Sequence, residues 1–307
     1  MTARITLALL FIVPAAMAYP WPSTADKWLL GIAVVAVLVL FAWWRGLFFT
    51  TMVGRRLAMW GRRNRTEGLH HSSADTTVLL RVDPSGPGAL PLRLIASYLD
   101  HYGVRCDKVR ITSRDTAGDR TTWVGLTLRA TDNLAALQAR SPRIPLRDTA
   151  EVAGRRLADH LRETGWNVTI VDTAVPPTES AAKETWRGLH DGSGYVGAYR
   201  LAVNDRLPET LAEVWALPSP ETWTALEITG TATDPAVAVV CTVRSDDKPG
   251  ASGPIAGLTL LRGRQRPAID VLNPLSTDRL DAQPVQLSDA LLDQLQWEAG
   301  RAATASI

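Results

Sequence analysis

The residues best suited to chemistry in this 307-residue chain are few and scattered. Gly192 to Gly197 spell Gly-Ser-Gly-Tyr-Val-Gly, which fits the G-x-G-x-x-G pattern of dinucleotide-binding proteins. In those proteins the glycines follow a strand and open a helix, so that the pyrophosphate meets the helix N-terminus. Here the glycines lead into residues 195–203, whose alternation predicts a strand. The pattern therefore indicates a turn before a strand and not a nucleotide site.

The other polar residues form no recognisable catalytic motif. The sequence has no P-loop, no G-x-S-x-G nucleophile elbow and no D-x-D pair. His190 and Asp191 could form an acid/base pair, but adjacent side chains do not easily face one another. Cys106 and Cys241 fall in predicted strands and are expected to be reduced core thiols. We therefore predict no catalytic, cofactor-binding or metal-binding residue, and no enzyme.

The charge of the chain is unevenly distributed. Residues 1–65 carry a net charge of +7 and the remaining residues −5, which gives the total of +2. Two apolar runs, residues 5–18 and 28–44, lie within the basic part. Positive charge beside an apolar run is typical of a membrane boundary. The composition therefore points to membrane lipid as a partner and gives no indication of nucleic acid.

The two apolar runs predict a transmembrane hairpin over residues 1–45, with spans at about 5–21 and 28–44. A bilayer core of about 30 Å needs roughly 20 helical residues, and 17 is near the lower limit. The first run also resembles a secretory signal peptide, so its cleavage stays open. Residues 45–65 contain six arginines and no acidic residue. Because positively charged segments beside a membrane span stay on the cytoplasmic side, residues 45–307 are placed in the cytoplasm under either alternative. The tryptophans that suit the two membrane interfaces are Trp21, Trp28, Trp43 and Trp44.

Residues 46–65 are predicted to form a basic juxtamembrane helix along the inner leaflet. Anionic lipid would attract each arginine there by about 1 kcal/mol. The alternative is that these arginines only determine topology. The basic cluster comprises Arg45, Arg55, Arg56, Arg62, Arg63 and Arg65.

One face of the second span carries small residues, which let another helix approach closely. We predict this face to be a helix-packing surface within the membrane. Its members are Gly31, Ala33, Ala36 and Ala42.

The remaining chain has the pattern of a mixed α/β (α+β) domain. Residues 66–175 read as β-α-β-β-α-β, the split-βαβ arrangement, and residues 176–307 begin the order again. In the first half, periodicity predicts helices over residues 90–102 and 148–164, strands over 76–83, 104–112, 121–129 and 167–173, and a polar turn at 113–120. His101 and His160 lie near the ends of these two helices and are assigned no role. Leu90-Pro91 and Ile111-Thr112 recur 117 positions later as Leu207-Pro208 and Ile228-Thr229. We therefore expect two α/β subdomains, 66–175 and 176–307, that are possible pseudo-repeats, with a final helix over residues 287–300.

The layout of the chain resembles a known family. The stretches WLLGIAVVAVLVLFAWWRGL (28–47) and ETWRGLHDGSGYVGAYRL (184–201) are similar to EccE, a membrane subunit of the type VII (ESX) secretion systems of actinobacteria. The compact length most resembles the EccE of ESX-3 systems. The resemblance covers nearly the whole chain, although its motifs are not catalytic signatures.

The resemblance implies a structural subunit of a secretion machine that exports WXG100/PE/PPE-type proteins. It implies EccB, EccC and EccD as partners in the inner membrane, and the mycosin protease as a further candidate. EccC is the ATPase of such complexes, in agreement with the missing P-loop. The resemblance also implies a glycosyltransferase-like fold, which carries no activity by itself. The alternatives to a structural subunit are a membrane-anchored transferase and a module that reads lipid.

Overall fold

A computed structural model of the chain describes residues 2–17, 19, 23–41, 43–44, 47–62, 74–84, 88–141, 145–179, 181–286 and 289–300. The chain divides into two compact units, Met1–Arg65 and Thr66–Ile307. Within the second unit the sheet runs without a break through both predicted α/β subdomains. The division into subdomains 66–175 and 176–307 stays a prediction.

The first unit contains three helices and a short hairpin among its described residues. The apolar runs form α1 (Thr2–Met17) and α2 (Thr24–Phe41). The prediction of a helix through residue 44 is wrong, because Trp43–Trp44 (β1) pairs with Leu47–Phe48 (β2). Adjacent tryptophans favour such an extended backbone. Helix α3 (Phe49–Arg62) follows. No helix in this described part of the chain has both the length and the apolar content to cross a membrane.

The second unit is built on one antiparallel sheet, in which the described residues contribute twelve strands. The central order is β7-β3-β6-β5-β11-β12-β10-β9-β8, with β4 beside β5, β13 beside β10 and β14 beside β12. The strands are β3 (Asp75–Asp83), β4 (Asp100–His101), β5 (Val104–Thr116), β6 (Asp119–Arg129), β7 (Asn167–Val171), β8 (Lys183–Glu184), β9 (Leu189–Asp191), β10 (Gly194–Leu201), β11 (Glu221–Gly230), β12 (Pro235–Ser245), β13 (Leu258–Leu260) and β14 (Val285–Gln286).

The two halves of this sheet have matching strand orders on either side of the β5–β11 pair. The order β7-β3-β6-β5 on one side corresponds to β13-β10-β12-β11 on the other. At the junction Arg110 on β5 lies opposite Glu227 on β11, and these two residues are themselves 117 positions apart. The offset that relates the two halves of the sequence thus also relates two residues that face each other at the centre of the sheet.

Helices cover the two faces of the sheet because apolar residues alternate along its strands. On β3, Val78, Leu80 and Val82 join the main core, whereas Leu79 points to a cluster on the opposite face. The main core also receives residues from α4, α5, α6, α7 and α9. Helix α8 packs on the opposite face. The helices are α4 (Leu92–Ser97), α5 (Leu134–Arg140), α6 (Leu146–Glu163), α7 (Leu207–Trp215), α8 (Gln265–Asp270) and α9 (Asp289–Gln294), with a 3₁₀ turn at Thr131–Asn133.

The predicted final helix over residues 287–300 is wrong beyond Gln294. There the chain becomes extended and returns to the first half of the domain. The Leu90 N–H donates to the Trp297 carbonyl oxygen at 2.8 Å, and Ala89 forms a β-bridge with Glu298. The indole N–H of Trp297 also donates to Ser113 Oγ at 2.9 Å. These long-range bonds replace the helical ones that local spacing suggested.

The expected likeness to glycosyltransferases is not supported. Doubly wound α/β folds bind nucleotides in a crevice at the carboxyl ends of parallel strands. Every strand pair in the described part of this sheet is antiparallel. The described sheet is therefore mixed α/β in class but lacks the parallel arrangement that forms such a crevice.

Candidate interaction site

The predicted membrane-facing residues lie in the first unit, where the structure describes some of their side chains. Trp28 is 69% exposed, and Gly31 is exposed with open space where a Cβ would lie. Ala33 is buried. On α3, Arg56 is exposed and Arg55 is half-buried. Only the backbone is described for Ala36, Trp43, Trp44 and Arg62, and Trp21, Ala42, Arg45, Arg63 and Arg65 lie outside the described residues.

The glycine-rich string is a turn before a strand, as predicted. Gly192 and Ser193 connect β9 to β10, and Asp191 pairs with Gly194 across the turn. Gly194 has a φ of +128°, which favours glycine, and a Cβ there would meet the Ser245 carbonyl oxygen at 2.8 Å. The glycines therefore allow the β9–β10 turn to form and to pack closely against neighbouring backbone.

The side chains of His190 and Asp191 do not form an acid/base pair. His190 is exposed and its ring packs against Tyr195 at 4.6 Å, whereas Asp191 is buried. Arg244 Nη1 donates to both oxygens of Asp191, at 2.9 and 3.0 Å. Burial alone would raise the pKa of Asp191, but hydrogen bonds from Ser193 and Arg244 hold it below its ordinary value. Asp191 therefore stays ionised as a structural anchor for Arg244.

The centre of the sheet carries a buried charged cluster that sequence reasoning missed. Lys108, Arg110 and Glu227 are each at most 3% exposed. Arg110 Nη2 donates to Glu227 Oε2 at 2.6 Å, and Lys108 Nζ lies 3.7 Å from the same oxygen. Both cations also donate to carbonyl oxygens of the segment after α8, at Ser276 and Asp278. The cluster thereby holds that segment against the sheet.

This cluster contains two cations for one carboxylate. Burial, and then the neighbouring Arg110, lower the pKa of Lys108 from 10.5 to about 7. The Leu280 N–H in turn donates to Glu227 at 3.3 Å. The polar atoms of the cluster form hydrogen bonds within the fold. The cluster therefore stabilises the packing of this segment and is not an open reaction site.

A second buried ion pair overturns the expectation of a polar turn at residues 113–120. The strands β5 and β6 continue through this region, leaving only two residues between them. Arg120 Nε donates to Asp115 Oδ1 at 2.6 Å, and Ser113 and Thr122 are bonded at 2.7 Å. Polar side chains that bond to one another can be buried at low cost, so the paired strands continue through this region.

No group of three or more metal-ligating side chains occurs among the described residues. Both cysteines are unpaired thiols and buried. Burial raises the pKa of Cys106 to about 12, so its thiolate is scarce at neutral pH. Cys106 is also among the residues that line a cavity.

That cavity has a volume of about 340 Å³ and lies between the start of α6 and the β4–β5 hairpin; we call it the Tyr98 cavity. Its lining combines aromatic, apolar and polar side chains. The lining residues that carry polar, aromatic or titratable groups are Tyr98, His101, Tyr102, Cys106, Ser141, Asp148, Thr149 and Arg156. It resembles a binding site in that apolar and polar side chains together line a concave space.

An aromatic cluster forms one wall of the Tyr98 cavity. The Tyr98 and His101 rings lie 4.4 Å apart, and the His101 and Tyr102 rings lie 4.2 Å apart. Tyr98 Oη is 3.1 Å from His160 Nδ1. Arg156 lies 4.7 Å from the centre of the Tyr102 ring, within cation–π distance. Two segments that are distant in sequence, residues 98–102 and helix α6, therefore converge here.

Two polar atoms in this lining are buried without a hydrogen-bond partner: His101 Nε2 and Thr149 Oγ1. Burial, followed by His160 and Arg156, lowers the pKa of His101, so its ring is neutral at pH 7. A neutral imidazole has one donor and one acceptor nitrogen. Both residues line the cavity, but these two atoms have almost no accessible surface and therefore lie behind its wall.

Sequence reasoning placed His101 and His160 near helix ends and assigned them no role. The structure instead puts His101 in β4 and brings its ring to 6.4 Å from His160. The sequence did contain one indication of an aromatic cluster beside a turn. It is the string Tyr98-Leu-Asp-His-Tyr-Gly103, which is rich in aromatic residues and ends in glycine. It did not reveal the cavity, because the opposite wall comes from α6.

Comparison with known proteins places the chain in a family. The family described as "Putative type VII ESX secretion system translocon, EccE" matches residues 116–201, which include α6 and the glycine-rich hairpin. The ESX-3 secretion system protein EccE3 of Mycolicibacterium smegmatis is 57% identical over 94% of this chain and 92% of the relative. The ESX-3 secretion system protein EccE3 of Mycobacterium tuberculosis is 52% identical over 96% of this chain and 91% of the relative.

A more distant relative belongs to another system. The ESX-5 secretion system protein EccE5 of Mycobacterium tuberculosis is 31% identical over 54% of this chain and 45% of its own length. The similarity to the two EccE3 proteins, in contrast, extends over both units. On this evidence, the chain is a member of the EccE family.

Proposed function

We propose that this chain is a non-enzymatic structural subunit of a type VII secretion machine of the ESX-3 class. The observation that carries the proposal is the 57% identity, over 94% of the chain, to an ESX-3 secretion system protein. The internal pairing of the buried ionisable groups supports a structural role. Lys108, Arg110 and Glu227, for example, hold a segment of the chain and are closed to solvent.

We further propose EccB, EccC and EccD as the subunits that it contacts, with the mycosin protease as a more distant associate. In this assembly the ATPase EccC would supply the energy for export of WXG100/PE/PPE-type proteins. The present chain would contribute anchorage and contact surface. No small-molecule cofactor is required for that role.

The test is purification of the tagged chain, expressed from the chromosome, in mild detergent. Native gel electrophoresis and mass spectrometry should reveal a megadalton species that contains an FtsK-like ATPase and a many-spanning membrane protein. A tag on an unrelated inner-membrane protein controls for detergent aggregates. A small species that contains only this chain would overturn the proposal.

We also propose that residues 1–45 anchor the chain in the inner membrane as a two-span hairpin, with residues 46–307 in the cytoplasm. The apolar runs and the +7 charge of residues 1–65 support this topology. A fluorescent protein fused after Ile307 should fluoresce, and alkaline phosphatase at the same position should be inactive. An active phosphatase fusion would show that the orientation is the opposite of the one proposed.

Within that anchor, Gly31 is the candidate contact for a partner helix. It is exposed, and nothing lies within 4 Å of a Cβ placed there. Gly31→Leu should therefore leave α2 intact while it prevents close approach of another helix. The expected result is a lower yield of complex at unchanged membrane level. Unchanged yield would remove Gly31 from the interface.

A second candidate function, recognition of anionic lipid, is favoured by the exposed face of α3. Val53, Leu57 and Trp60 are 41%, 61% and 72% exposed, and their spacing places them along one side of the helix. Arg56 is exposed beside them. An apolar stripe flanked by arginines is typical of a helix that lies in the membrane interface.

This candidate function predicts salt-sensitive binding of the basic segment to anionic vesicles. Replacement of Arg55, Arg56, Arg62, Arg63 and Arg65 by glutamine should weaken binding of a 47–65 peptide to phosphatidylglycerol vesicles. The matched lysine replacements should preserve binding, because the lipid surface responds to charge. Equal binding by the glutamine and lysine peptides would argue against lipid recognition.

A further inference from the structure

The two halves of the large sheet repeat one succession of elements at one spacing. Strand β5 begins at Val104, and β11 begins 117 positions later at Glu221. The same shift carries α4 to residues 209–214, which lie within α7. It carries β3 to residues 192–200, which overlap most of β10. A strand, a helix and a strand therefore recur at the spacing that relates the two halves of the sequence.

Side chains at this spacing also have equivalent surroundings. Leu90 and its counterpart Leu207 are buried, and so are Ile111 and its counterpart Ile228. All four side chains belong to the main core. Copies of one structural unit are expected to bury the same positions, because the same face of each element packs inward. The agreement in burial thus favours a repeated unit over a chance similarity of sequence.

The pairing of β5 with β11 has the register of a twofold axis. Arg110 lies opposite Glu227, which is its own counterpart in the other half. Ile111 lies opposite Leu226, the counterpart of Val109, and Val109 in turn lies opposite the counterpart of Ile111. Reciprocal contacts of this kind define the isologous interface of a twofold dimer. Position 110 and its counterpart therefore lie on the axis.

On such an axis a residue faces its own counterpart, so two identical halves would bring identical side chains together there. Arg110 and Glu227 are instead oppositely charged and buried, and Arg110 Nη2 donates to Glu227 Oε2 at 2.6 Å. Lys108 adds a second buried cation on β5, whereas its counterpart on β11 is Ala225. Within this cluster β5 contributes the cations and β11 contributes the carboxylate.

This distribution of charge discriminates between possible pairings of the halves. An unpaired strand edge can accept any strand of matching register, including the same strand from another molecule. Two first halves would bury Arg110 against a second Arg110, and two second halves would bury Glu227 against a second Glu227. Buried like charges oppose association, because neither charge is compensated. Only unlike halves bring the buried carboxylate to the buried cations.

We propose that the second unit is built as a twofold dimer joined in one chain, and that Arg110 and Glu227 on its axis determine which halves pair. Unlike halves associate through β5 and β11, and like halves from two molecules are excluded. The complementary partner of each half is the other half of the same chain or of a second copy. No other subunit takes part in this pairing, which is therefore independent of the proposed function.

The first experiment reverses the axial charges in the full chain in detergent. Arg110→Glu and Glu227→Arg each place like charges on the axis and should lower the urea midpoint of unfolding. The double variant restores an opposite pair and should recover most of the loss. Arg147→Glu is the control, because Arg147 forms an exposed ion pair with Glu151 and its reversal should move the midpoint little. A single reversal as stable as the parent chain would overturn the proposal.

The second experiment tests the choice of partner between molecules, even where each reversed chain fails to fold alone. The Arg110→Glu chain and the Glu227→Arg chain are expressed together in a host that lacks the secretion machine. By exchanging halves, they regain two opposite axial pairs. Thr112 lies opposite Ala225 across the β5–β11 pair. Thr112→Cys in the first chain and Ala225→Cys in the second should therefore form a disulfide between chains when halves are exchanged.

The matched controls carry the same two added cysteines on two chains that have the same charge reversal. The mixed chains should give at least about tenfold more disulfide-linked dimer than these controls, since like charges in an interface oppose association. The buried Cys106 and Cys241 are present in every chain, so the controls also account for their oxidation.

Equal amounts of linked dimer in mixed and matched chains would overturn the selection of halves by charge. No linked dimer from the mixed chains would overturn the complementarity of halves between molecules. Both results would leave the proposed function untouched, because no other subunit is present. Conversely, failure to recover a secretion complex with the parent chain would refute the proposed function and leave the outcome of the charge reversals standing.

Discussion

At the scale of single residues, the buried cluster of Lys108, Arg110 and Glu227 is the most sensitive point of the domain. Glu227 is the carboxylate that lies within ion-pair distance of both buried cations, at 3.7 Å from Lys108 Nζ and 2.6 Å from Arg110 Nη2. Removal of one partner from a buried ionic group leaves an uncompensated charge. The central pairing of the sheet should therefore depend on this carboxylate.

Glu227→Gln should lower the free energy of unfolding by about 3–5 kcal/mol. Urea denaturation followed by circular dichroism measures this change. Glu151→Gln is the control, because Glu151 forms exposed ion pairs with Arg147 and Arg155, and its loss should cost no more than about 1 kcal/mol. Similar losses for the two variants would contradict a special role for the buried cluster.

Lys108 should give the stability of the domain a characteristic pH dependence. The unfolded chain keeps this proton up to about pH 10.5, whereas the folded chain releases it near pH 7. Between these values the unfolded state binds more protons, so the free energy of unfolding rises with pH. Below pH 7 both states are protonated and Lys108 contributes no slope.

Lys108→Met should flatten that rise. The measurement is the urea midpoint of the parent chain and of the variant at pH 6.5, 8 and 9.5. The difference between the two proteins should change steadily over this interval in the direction that favours the parent at high pH. Parallel pH profiles would show that Lys108 has an ordinary pKa.

At the scale of elements, helix α6 is held close to β3 by a glycine. A Cβ at Gly154 would lie 2.8 Å and 2.9 Å from the two methyl carbons of Val78. Alanine is favoured over glycine within a helix by about 1 kcal/mol. Contact with the rigid Val78 side chain opposes that gain, because overpacking costs about 1–3 kcal/mol.

Gly154→Ala should therefore destabilise the domain by up to about 2 kcal/mol in spite of its higher helix propensity. The double variant with Val78→Ala should be more stable than the sum of the two single effects, since the smaller residue makes room for the new methyl group. Thermal unfolding of all four proteins forms the double-mutant cycle. If the two stability changes were strictly additive, the methyl group at position 154 would not contact Val78, and α6 would have shifted on the sheet to make room for it.

At the scale of the whole molecule, the end of the described chain ties the two halves of the second unit together. Trp297 is fully buried, packs edge-on against Trp215 at 5.3 Å and donates to Ser113. Arg120 and Thr122 in the first half also donate to carbonyl oxygens of Glu298 and Ala299. The sheet and this segment should therefore unfold together.

Trp297→Ala should cost about 3–5 kcal/mol and preserve a single unfolding transition. Circular dichroism and tryptophan fluorescence should report the same urea midpoint. Val285→Ala is the control, since Val285 is 43% exposed and its truncation should change stability by at most about 0.5 kcal/mol. Two separated transitions in the Trp297 variant would indicate independent subdomains.

The sequence by itself determined the family and most local elements. Periodicity predicted a helix over residues 148–164 and a strand over 76–83, and the structure has α6 at Leu146–Glu163 and β3 at Asp75–Asp83. The glycine-rich turn was also predictable. These features depend on near neighbours along the chain, whose spacing sets backbone preference and the side that faces the core.

Only the tertiary structure decided which distant residues meet. The pairing of Arg110 with Glu227 requires the register between β5 and β11, and the Tyr98 cavity requires α6 beside the β4–β5 hairpin. The extended path of Trp297 results from bonds to Leu90 and Ser113 that override a helical spacing. Such contacts join residues far apart in sequence, so their energies act only once the sheet has formed and leave no periodic signal in the chain.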